Sequence, residues 1–187
     1  MNPGHMEFCA GEEWRQLVQD VILPVALNGI DLGAAVIEIG PGPGFTTDVL
    51  KGLTASLTAV EIDPGLARAL ADRLRGGNVD VVLGDATALD MPAATFTGAA
   101  SFHMLHHIGT VDDQQRALSE LARVLQPGGV LVAADAGYSD GSRLFHEGDT
   151  YNPIEPDSLA PRLAEVGFTS VEVREYDLGW VCLARAV

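Results

Sequence analysis

The sequence predicts an α/β fold in which a mostly parallel sheet carries helices on both faces and ends in an antiparallel hairpin. Between residues 35 and 136, short apolar runs rich in β-branched residues alternate with amphipathic stretches of helical spacing. Such alternation is typical of right-handed β-α-β crossovers and a parallel sheet. The last two strand-like runs, "SVEVREYD" and "GWVCLARAV", are separated by about two residues around Leu178-Gly179, and so short a separation favours a hairpin.

The N-terminal segment is predicted to be an amphipathic helix that covers the sheet. Its apolar residues between positions 14 and 25 recur every three or four residues, which places them on one helical face. Pro24 is expected to bend this helix, because proline removes a backbone donor.

The later elements are predicted from apolar runs and from helix start and stop signals. The predicted strands are "AVIEIG", "SLTAVEID", "NVDVVLGD", "FTGAASF" and "VLVAADA". A helix is expected at 45–53, and a second begins at Asp63-Pro64, an N-cap followed by a first-turn proline. The next presents Leu118, Leu121, Ala122 and Leu125 inward and stops at "QPGG", and the last occupies 157–166.

Composition limits the classes of partner. The formal net charge of −15 argues against nucleic acid or an anionic membrane, because phosphates are bound by Lys and Arg, although solubility alone also explains an acidic balance. The only cysteines, Cys9 and Cys182, lie at opposite ends of the chain and imply no disulfide or metal framework. No stretch reads as a secretion signal or membrane span, so a cytoplasmic protein is expected.

Three carboxylates and a glycine-rich turn indicate the kind of ligand. Gly40, Gly42 and Gly44 give a GxGxG spacing, but Phe45 follows, so the third glycine of a dinucleotide GxGxxG is missing. Glu38, Glu61 and Asp85 lie near the ends of the first three predicted strands, where ligands of open parallel sheets bind. Acidic walls repel a pyrophosphate. They favour a cationic ligand, such as a nucleoside with a sulfonium and an amino-acid tail.

Five motifs in register, "VIEIGPGPG", "LTAVEIDP", "GDATALD", "SFHMLHHI" and "ARVLQPGGVLV", resemble class I S-adenosylmethionine-dependent methyltransferases of the small-molecule type. The resemblance covers about residues 35–187. It implies a Rossmann-like, seven-stranded sheet with the last strand antiparallel, and S-adenosylmethionine as the cofactor. One domain is then expected over 1–187, with an N-terminal helix or lid at 1–34, a cofactor-binding core at 35–136, a substrate-region insertion at 137–156 and a final helix and hairpin at 157–187.

The resemblance also implies roles for single residues in cofactor binding. The three glycines pass the methionine part, and Glu38 orders the loop or reaches the ammonium. Glu61 holds the ribose, Asp85 and the Ala86 amide read the adenine, and Ile62 packs against its ring. His103 lies beside the cofactor after the fourth strand.

At the reactive end, His106, His107 and Asp135 are candidates for a base that takes the acceptor proton. The sequence does not choose between the two histidines, and a structural role for all three is an open alternative. Tyr138, Arg143, His146 and Tyr151, in the irregular stretch 137–156, are candidates for acceptor recognition; a solvated surface loop is the alternative. The N-terminal segment is expected either to cover the mouth of the site, with His5 or Phe8 near the acceptor, or to be a disordered tail. No metal site is predicted, because "SFHM" and "DAG" depart from the metal-binding pattern of catechol-type relatives.

The predicted function is methyl transfer from S-adenosylmethionine to an oxygen, nitrogen or carbon of a small molecule, by a monomer or homodimer. The alternatives are a non-catalytic protein that binds S-adenosylmethionine or its demethylated product, and an NAD-dependent oxidoreductase. An aminopropyl transferase is disfavoured, because those enzymes carry an acid where His103 stands.

Overall fold

A computed structural model of the protein describes residues 2–187; residue 1, at which the predicted domain and N-terminal segment begin, lies outside the described residues. Seven strands form one sheet in the order β3-β2-β1-β4-β5-β7-β6. They are β1 (Ala35–Ile39), β2 (Ser56–Glu61), β3 (Val79–Leu83), β4 (Phe96–Phe102), β5 (Leu125–Asp135), β6 (Phe168–Tyr176) and β7 (Gly179–Ala186). Six run in one direction, and β7 pairs antiparallel with both β5 and β6. The predicted fold class is therefore confirmed.

Eight α-helices and two short irregular turns are found within residues 2–187. The helices are α1 (Pro3–Cys9), α2 (Glu12–Leu17), α3 (Leu23–Leu27), α4 (Phe45–Leu50), α5 (Pro64–Leu74), α6 (Val111–Val124), α7 (Asp140–Phe145) and α8 (Pro156–Glu165). A π-helical turn, Val18–Ile22, joins α2 to α3, and a 3₁₀ turn, Leu105–His107, follows β4. None of these helices is long and apolar enough to cross a bilayer.

The N-terminal helix changes its winding where a bend was expected. The π-helical turn ends at Ile22 and is followed by Leu23 and Pro24, the first two residues of α3. Pro24 has no N–H to donate to the preceding turn, and local widening is one way in which a helix accommodates that loss. Asp63 caps α5 as predicted, because its Oδ1 accepts from the amides of Gly65 and Leu66 at 2.8 and 2.9 Å.

The start of β5 differs from the prediction. Leu125 was assigned to the inner face of a helix, but α6 ends at Val124 and Leu125 is the first residue of the strand. Phe96 pairs with Leu125 and Gly98 with Val130, so "QPGG" is accommodated as an irregularity in the β4–β5 register. Leu125 is buried, and burial against the sheet therefore prevailed over helical spacing.

The core lies on both faces of the sheet, in two clusters of buried apolar side chains. Trp180 is fully buried in the first, and its indole N–H donates to the Ile154 carbonyl at 3.0 Å. Because β1 to β5 run parallel, the loops after these strands meet at one edge of the sheet, and the functional candidates lie there.

Candidate functional site

A cavity of about 660 Å³ opens at the carboxyl edge of β1 to β4. Its walls come from the turn after β1, the ends of β2 and β3, the loop after β4 and the N-terminal helices. Of the residues predicted to bind the cofactor or to act as a base, the following line it: Gly40, Gly42, Glu61, Ile62, Asp85, Ala86, His103 and His107.

The three glycines of the turn are required for different reasons. All have positive φ, at 67°, 54° and 91° for Gly40, Gly42 and Gly44, where side chains are disfavoured. A Cβ at Gly40 would collide with Met104, and one at Gly44 with Leu70 and Arg73, whereas a Cβ at Gly42 meets nothing within 4 Å. Gly42 alone therefore leaves open space at the cavity, and Gly44, which does not line it, allows α4 and α5 to pack.

Glu61 connects this turn to the end of β2. Its Oε2 accepts from the Gly42 amide and its Oε1 from the Asp63 amide, both at 2.9 Å. Each carboxylate oxygen has a second lone pair. The buried Glu61 side chain is thus held at the cavity wall with acceptor capacity for a pair of ligand hydroxyls.

The next wall section combines an acid with an apolar surface. Asp85 Oδ1 accepts from the amide and the hydroxyl of Thr87, both at 2.8 Å. Beside it, Ile62 leaves 67% of its surface exposed, an unusual state for a large aliphatic side chain that a planar apolar ligand group would cover. Ala86 lies in the same wall.

Glu38 is not part of the cavity wall. It is fully buried, and its two oxygens accept hydrogen bonds from the hydroxyls of Thr46, a very short contact, and of Thr47 at 2.6 Å. Burial raises the pKa of Glu38 to about 7, against the opposing effect of these hydrogen bonds. Glu38 was predicted either to order the loop or to reach the ligand ammonium. Its hydrogen bonds join the end of β1 to the start of α4 and so fit the first role.

His103 follows β4 in a left-handed conformation, with φ of 51°, which is uncommon outside glycine. Its ring packs edge-on to Trp14 at 5.1 Å between centroids, and its Nε2 lies 3.4 Å from the Tyr176 hydroxyl. Burial lowers the pKa of His103 to about 4 and raises that of Tyr176 to about 12. Both groups are therefore uncharged near neutral pH.

Polar side chains fix the loop after β4. Gln114 donates to the carbonyls of Leu105 and Asn152 at 3.1 and 2.7 Å. The Asn152 amide N–H donates to His106 O at 2.7 Å, and its side chain donates to Ile108 O at 3.1 Å. These bonds hold the 3₁₀ turn that presents the two neighbouring histidines.

His106 turns away from the cavity and toward Asp135 at the end of β5. Its Nδ1 forms a very short contact with Asp135 Oδ1, and its amide donates to Oδ2 at 3.0 Å. Burial alone would raise the pKa of Asp135, but the His106 ring and the Ala136 amide hold it below its ordinary value. The paired, fully buried Asp135 and the buried His106 do not line the cavity.

His106 also contacts His146. Their Nε2 atoms lie 3.1 Å apart, and His146 Nδ1 lies 2.6 Å from the Ser142 carbonyl. Since a carboxylate and a carbonyl only accept, we assign a proton to each Nδ1. The contact between the Nε2 atoms is a hydrogen bond only if the two rings share one further proton.

His107 points to the cavity, and His5 packs behind it. Burial, with smaller contributions from neighbouring imidazoles, lowers the pKa of His107 to about 3, so it is a weak base. The His5 ring lies 5.0 Å from that of His107 and 4.4 Å from that of His146, and its Nδ1 contacts Asp149 Oδ2 at 3.1 Å. His5 is one of the two N-terminal residues predicted to lie near the acceptor. It packs against His107, which lines the cavity, and against His146.

The N-terminal helices cover one side of the cavity. Met6, Cys9, Trp14 and Val18 contribute to its wall, whereas Phe8 packs on Trp14 and Phe145 instead. The Asn2 side chain donates to Phe145 O and Glu147 O at 3.1 and 3.2 Å. The start of α1 is thereby tied to the end of α7. This cover was expected as one of two outcomes, but its individual residues carry no motif by which they could be recognised.

The four predicted acceptor residues lie together in a second, smaller cavity of about 340 Å³, whose wall includes Tyr138, Arg143, His146 and Tyr151. The Tyr151 ring stacks on His146 at 4.5 Å, and its hydroxyl donates to Gly137 O at 3.2 Å. Asp149 lines both cavities. The segment 137–156 therefore borders the main cavity without forming most of its wall.

The charges of the main cavity fit the cationic ligand predicted from the sequence. Among residues 2–187, its wall contains five acidic residues and neither Lys nor Arg: Glu61, Asp63, Asp85, Asp113 and Asp149. A pyrophosphate would be repelled by this wall, and a sulfonium or ammonium attracted. The acceptors at Glu61 and Asp85, with Ile62 between them in sequence, suit a ribose and an adenine. S-adenosylmethionine therefore fits the residues present.

Comparisons with known proteins agree with this chemistry. The family described as "Methyltransferase domain" matches residues 37–133, a little over half of the chain. A demethylmenaquinone methyltransferase of Renibacterium salmoninarum is 26% identical over 200 aligned residues, covering 92% of this chain and 80% of that protein. A probable ribosomal RNA small subunit methyltransferase A of Methanothermobacter thermautotrophicus is 49% identical, but over 57 residues, which are 30% of this chain and 21% of that protein.

Solved structures show the same architecture. An amino pentose methyltransferase of Micromonospora echinaspora, determined with S-adenosylmethionine bound, matches with a TM-score of 0.74 at 16% identity. The match covers 95% of this chain and 93% of that one. At this level of identity the likeness concerns the fold.

Proposed function

The chain belongs to the methyltransferase domain family and is an S-adenosylmethionine-dependent methyltransferase, and we propose that its acceptor is a small, largely apolar molecule with an aromatic or quinol-like ring. The supporting observation is the wall of the cavity near β4 and the N-terminal helices. Apart from the two histidines, it consists mainly of apolar side chains: Met6, Cys9, Trp14, Val18, Phe102, Met104 and Ile108. A cavity of about 660 Å³ is within the usual range for small-molecule sites.

Positioning supplies most of the rate enhancement in this proposal. S-adenosylmethionine, when bound, would supply a sulfonium methyl group: the acceptor atom would attack the methyl carbon in line, the carbon–sulfur bond would break with its electron pair left on sulfur, and the proton lost by the acceptor would pass to solvent. Alignment of two reactants contributes in principle about 7 to 11 kcal/mol. A general base adds a factor of about 100 to 10,000, but only when its pKa is near the working pH. His107 and His103, the histidines on the wall, have pKa values of about 3 and 4.

We assign the three predicted base candidates accordingly. Asp135 and His106, paired behind the wall, are positioning residues for the loop that carries His107. His107 contacts the acceptor. The smaller cavity beyond Asp149 would hold substituents of the acceptor. They would contact the four residues predicted for acceptor recognition: Tyr138, Arg143, His146 and Tyr151.

Nucleic acid is disfavoured as the acceptor because the chain carries a net charge of −15 and phosphate contacts depend on Lys and Arg. The ribosomal RNA relative covers only 30% of this chain and therefore carries no argument about the acceptor. The demethylmenaquinone relative covers 92% and is compatible with a ring acceptor.

The test measures release of S-adenosylhomocysteine with a panel of hydroxylated aromatic molecules, quinols, amino sugars and short RNAs. Turnover is expected with ring acceptors of up to about two fused rings and absent with RNA. Turnover with RNA alone would overturn the proposed acceptor class. Calorimetric titration with S-adenosylmethionine, performed beside it, separates a missing acceptor from a missing cofactor.

A further inference from the structure

Three histidine rings from three separate segments converge where the two cavities meet. His5 lies in α1, His107 in the 3₁₀ turn after β4, and His146 directly after α7. One ligand nitrogen from each lies within 4.8 Å of those of the other two. We propose that these three imidazoles bind a divalent transition-metal ion of the zinc class.

The hydrogen bonds behind the rings support this assignment. His5 Nδ1 faces Asp149 Oδ2 at 3.1 Å, and His146 Nδ1 faces the Ser142 carbonyl at 2.6 Å. Both partners are acceptors, so each Nδ1 carries the proton and each Nε2 has a free lone pair. Metal-binding histidines almost always donate their other N–H to a carboxylate or a backbone carbonyl in this way. The tautomers of two of the three ligands are therefore already set for metal binding through Nε2.

His107 completes the set. Its ring lies 5.3 Å from that of His146 and 5.0 Å from that of His5, measured between centroids. Within the described residues 2–187, its ring meets its neighbours by these ring contacts and takes part in no hydrogen bond that would occupy either nitrogen.

The geometry requires a modest contraction. With metal–nitrogen bonds of about 2.05 Å and tetrahedral angles, the ligand nitrogens are about 3.3 Å apart. The rings therefore approach by about 1.5 Å at most, which side-chain rotation provides. His146 Nε2 turns from His106 toward the ion, and a proton held between these two rings would stay on His106, whose Nδ1 faces Asp135.

The donor set selects the ion. Three imidazole nitrogens suit Zn²⁺, Co²⁺, Ni²⁺ or Cu²⁺, whereas Mg²⁺ and Ca²⁺ prefer oxygen ligands. Three protein ligands leave a fourth position for water or for a substrate atom. Because His107 lines the larger cavity and His146 the smaller one, that position lies at the wall of the site. Activation of an acceptor hydroxyl there rests on the proposed function, but metal binding itself does not.

The experiment uses the chain of residues 1–187 without a histidine tag, stripped of metal with a chelator and titrated with Co²⁺ and then Zn²⁺. One equivalent of Co²⁺ is expected to produce the intense visible absorption of a tetrahedral site, which Zn²⁺ abolishes. His5→Gln, His107→Gln and His146→Gln should each weaken binding at least about 100-fold. Asp149→Asn should weaken it about 10- to 100-fold, as for other supporting partners of ligands.

Glu172→Gln is the control, because this exposed acid on β6 lies outside the triad; it should bind cobalt like the unaltered protein. If a ligand variant fails to fold, imidazole NMR of the unaltered protein decides. Zn²⁺ should then shift the rings of His5, His107 and His146 but barely that of His103. No saturable uptake, or equal uptake by folded ligand variants, would overturn the proposal. S-adenosylmethionine binding, measured on the same samples, reports separately on the methyltransferase site.

Discussion

The cofactor end of the cavity and its histidine end are built by contacts of very different range. At the cofactor end, most hydrogen bonds are local: Asp85 accepts from Thr87, and Asp63 accepts from Gly65 and Leu66. Glu61 accepts from Asp63 and also from Gly42, which is 19 residues away. At the histidine end, partners lie far apart in sequence. Asp135 and His106 are 29 residues apart, His106 and His146 are 40, and His5 and Asp149 are 144.

This contrast explains what each end can tolerate. Local hydrogen bonds form within a strand-to-helix connection and depend little on the rest of the molecule. The histidine end requires α1, the loop after β4 and α7 to be docked at the same time. It is therefore expected to lose its geometry when any one of these elements is disturbed, whereas the cofactor end should be disrupted chiefly by changes to its own acids.

Glu61→Ala should produce the largest effect and break the cofactor end alone. A hydrogen bond to a charged group contributes about 1.5 to 3 kcal/mol, and Glu61 would hold two ribose hydroxyls. S-adenosylmethionine affinity is therefore expected to fall by about 100- to 10,000-fold, as measured by calorimetry. The control is Glu172→Gln, an exposed acid on β6, which should bind normally. Affinity within a factor of three of the unaltered protein would show that Glu61 does not hold the ligand.

Asp135→Asn should disrupt the histidine end and lower stability. The carboxylate is fully buried and accepts from His106 and from the Ala136 amide. Removing one partner of a buried pair costs about 3 to 5 kcal/mol, or about 6 to 20 °C in melting temperature for a chain of this length. Differential scanning calorimetry measures it, with the exposed Asp177→Asn as control. An unchanged melting temperature would contradict the buried-pair assignment.

Glu38→Gln should change how stability depends on pH. The folded pKa of Glu38 is about 7, above its ordinary 4.5, so between these values the folded state binds more protons than the unfolded one. Its contribution to the free energy of unfolding is therefore greatest below about pH 4.5 and falls by about 3 kcal/mol as pH rises to 7.

Urea unfolding from pH 4.5 to 8 measures this dependence for Glu38→Gln and for the unaltered protein. The difference between the two curves should narrow or reverse as pH rises, since glutamine does not ionise. S-adenosylmethionine affinity should stay within about threefold, because Glu38 does not line the cavity. Parallel curves would mean that Glu38 is already ionised at low pH.

Trp14→Ala should produce a smaller, acceptor-specific effect. Its half-buried ring lines the cavity and packs edge-on to His103 at 5.1 Å. Loss of about 2 kcal/mol of contact, less than for a fully buried tryptophan, corresponds to about a 30-fold fall in kcat/KM for the acceptor. Gln16→Ala, an exposed position in the same helix, is the control. An equal loss of S-adenosylmethionine affinity would assign Trp14 to the cofactor end instead.

The predictions from sequence succeeded where the determining interactions are local. Alternating apolar runs gave all seven strands, and the Asp63 cap was found from its own dipeptide, because both signals are read within a few residues. The assignment of Leu125 to a helix was wrong, since its burial depends on pairing with Phe96, 29 residues earlier. The helical spacing of the apolar residues gave no sign of the pairing between Phe96 and Leu125.

The sequence by itself determined the fold class and the family, and it predicted Glu61 and Asp85, which line the acidic cavity, because β-α-β periodicity and residues at strand ends are local properties. Only the tertiary structure decided that Glu38 lies behind the wall, that His106 faces Asp135 while His107 faces the cavity, and that His5 joins His107 and His146. These choices depend on how α1 and α7 dock on the loop after β4. Such docking is the sum of many weak long-range contacts, and no short stretch of sequence records it.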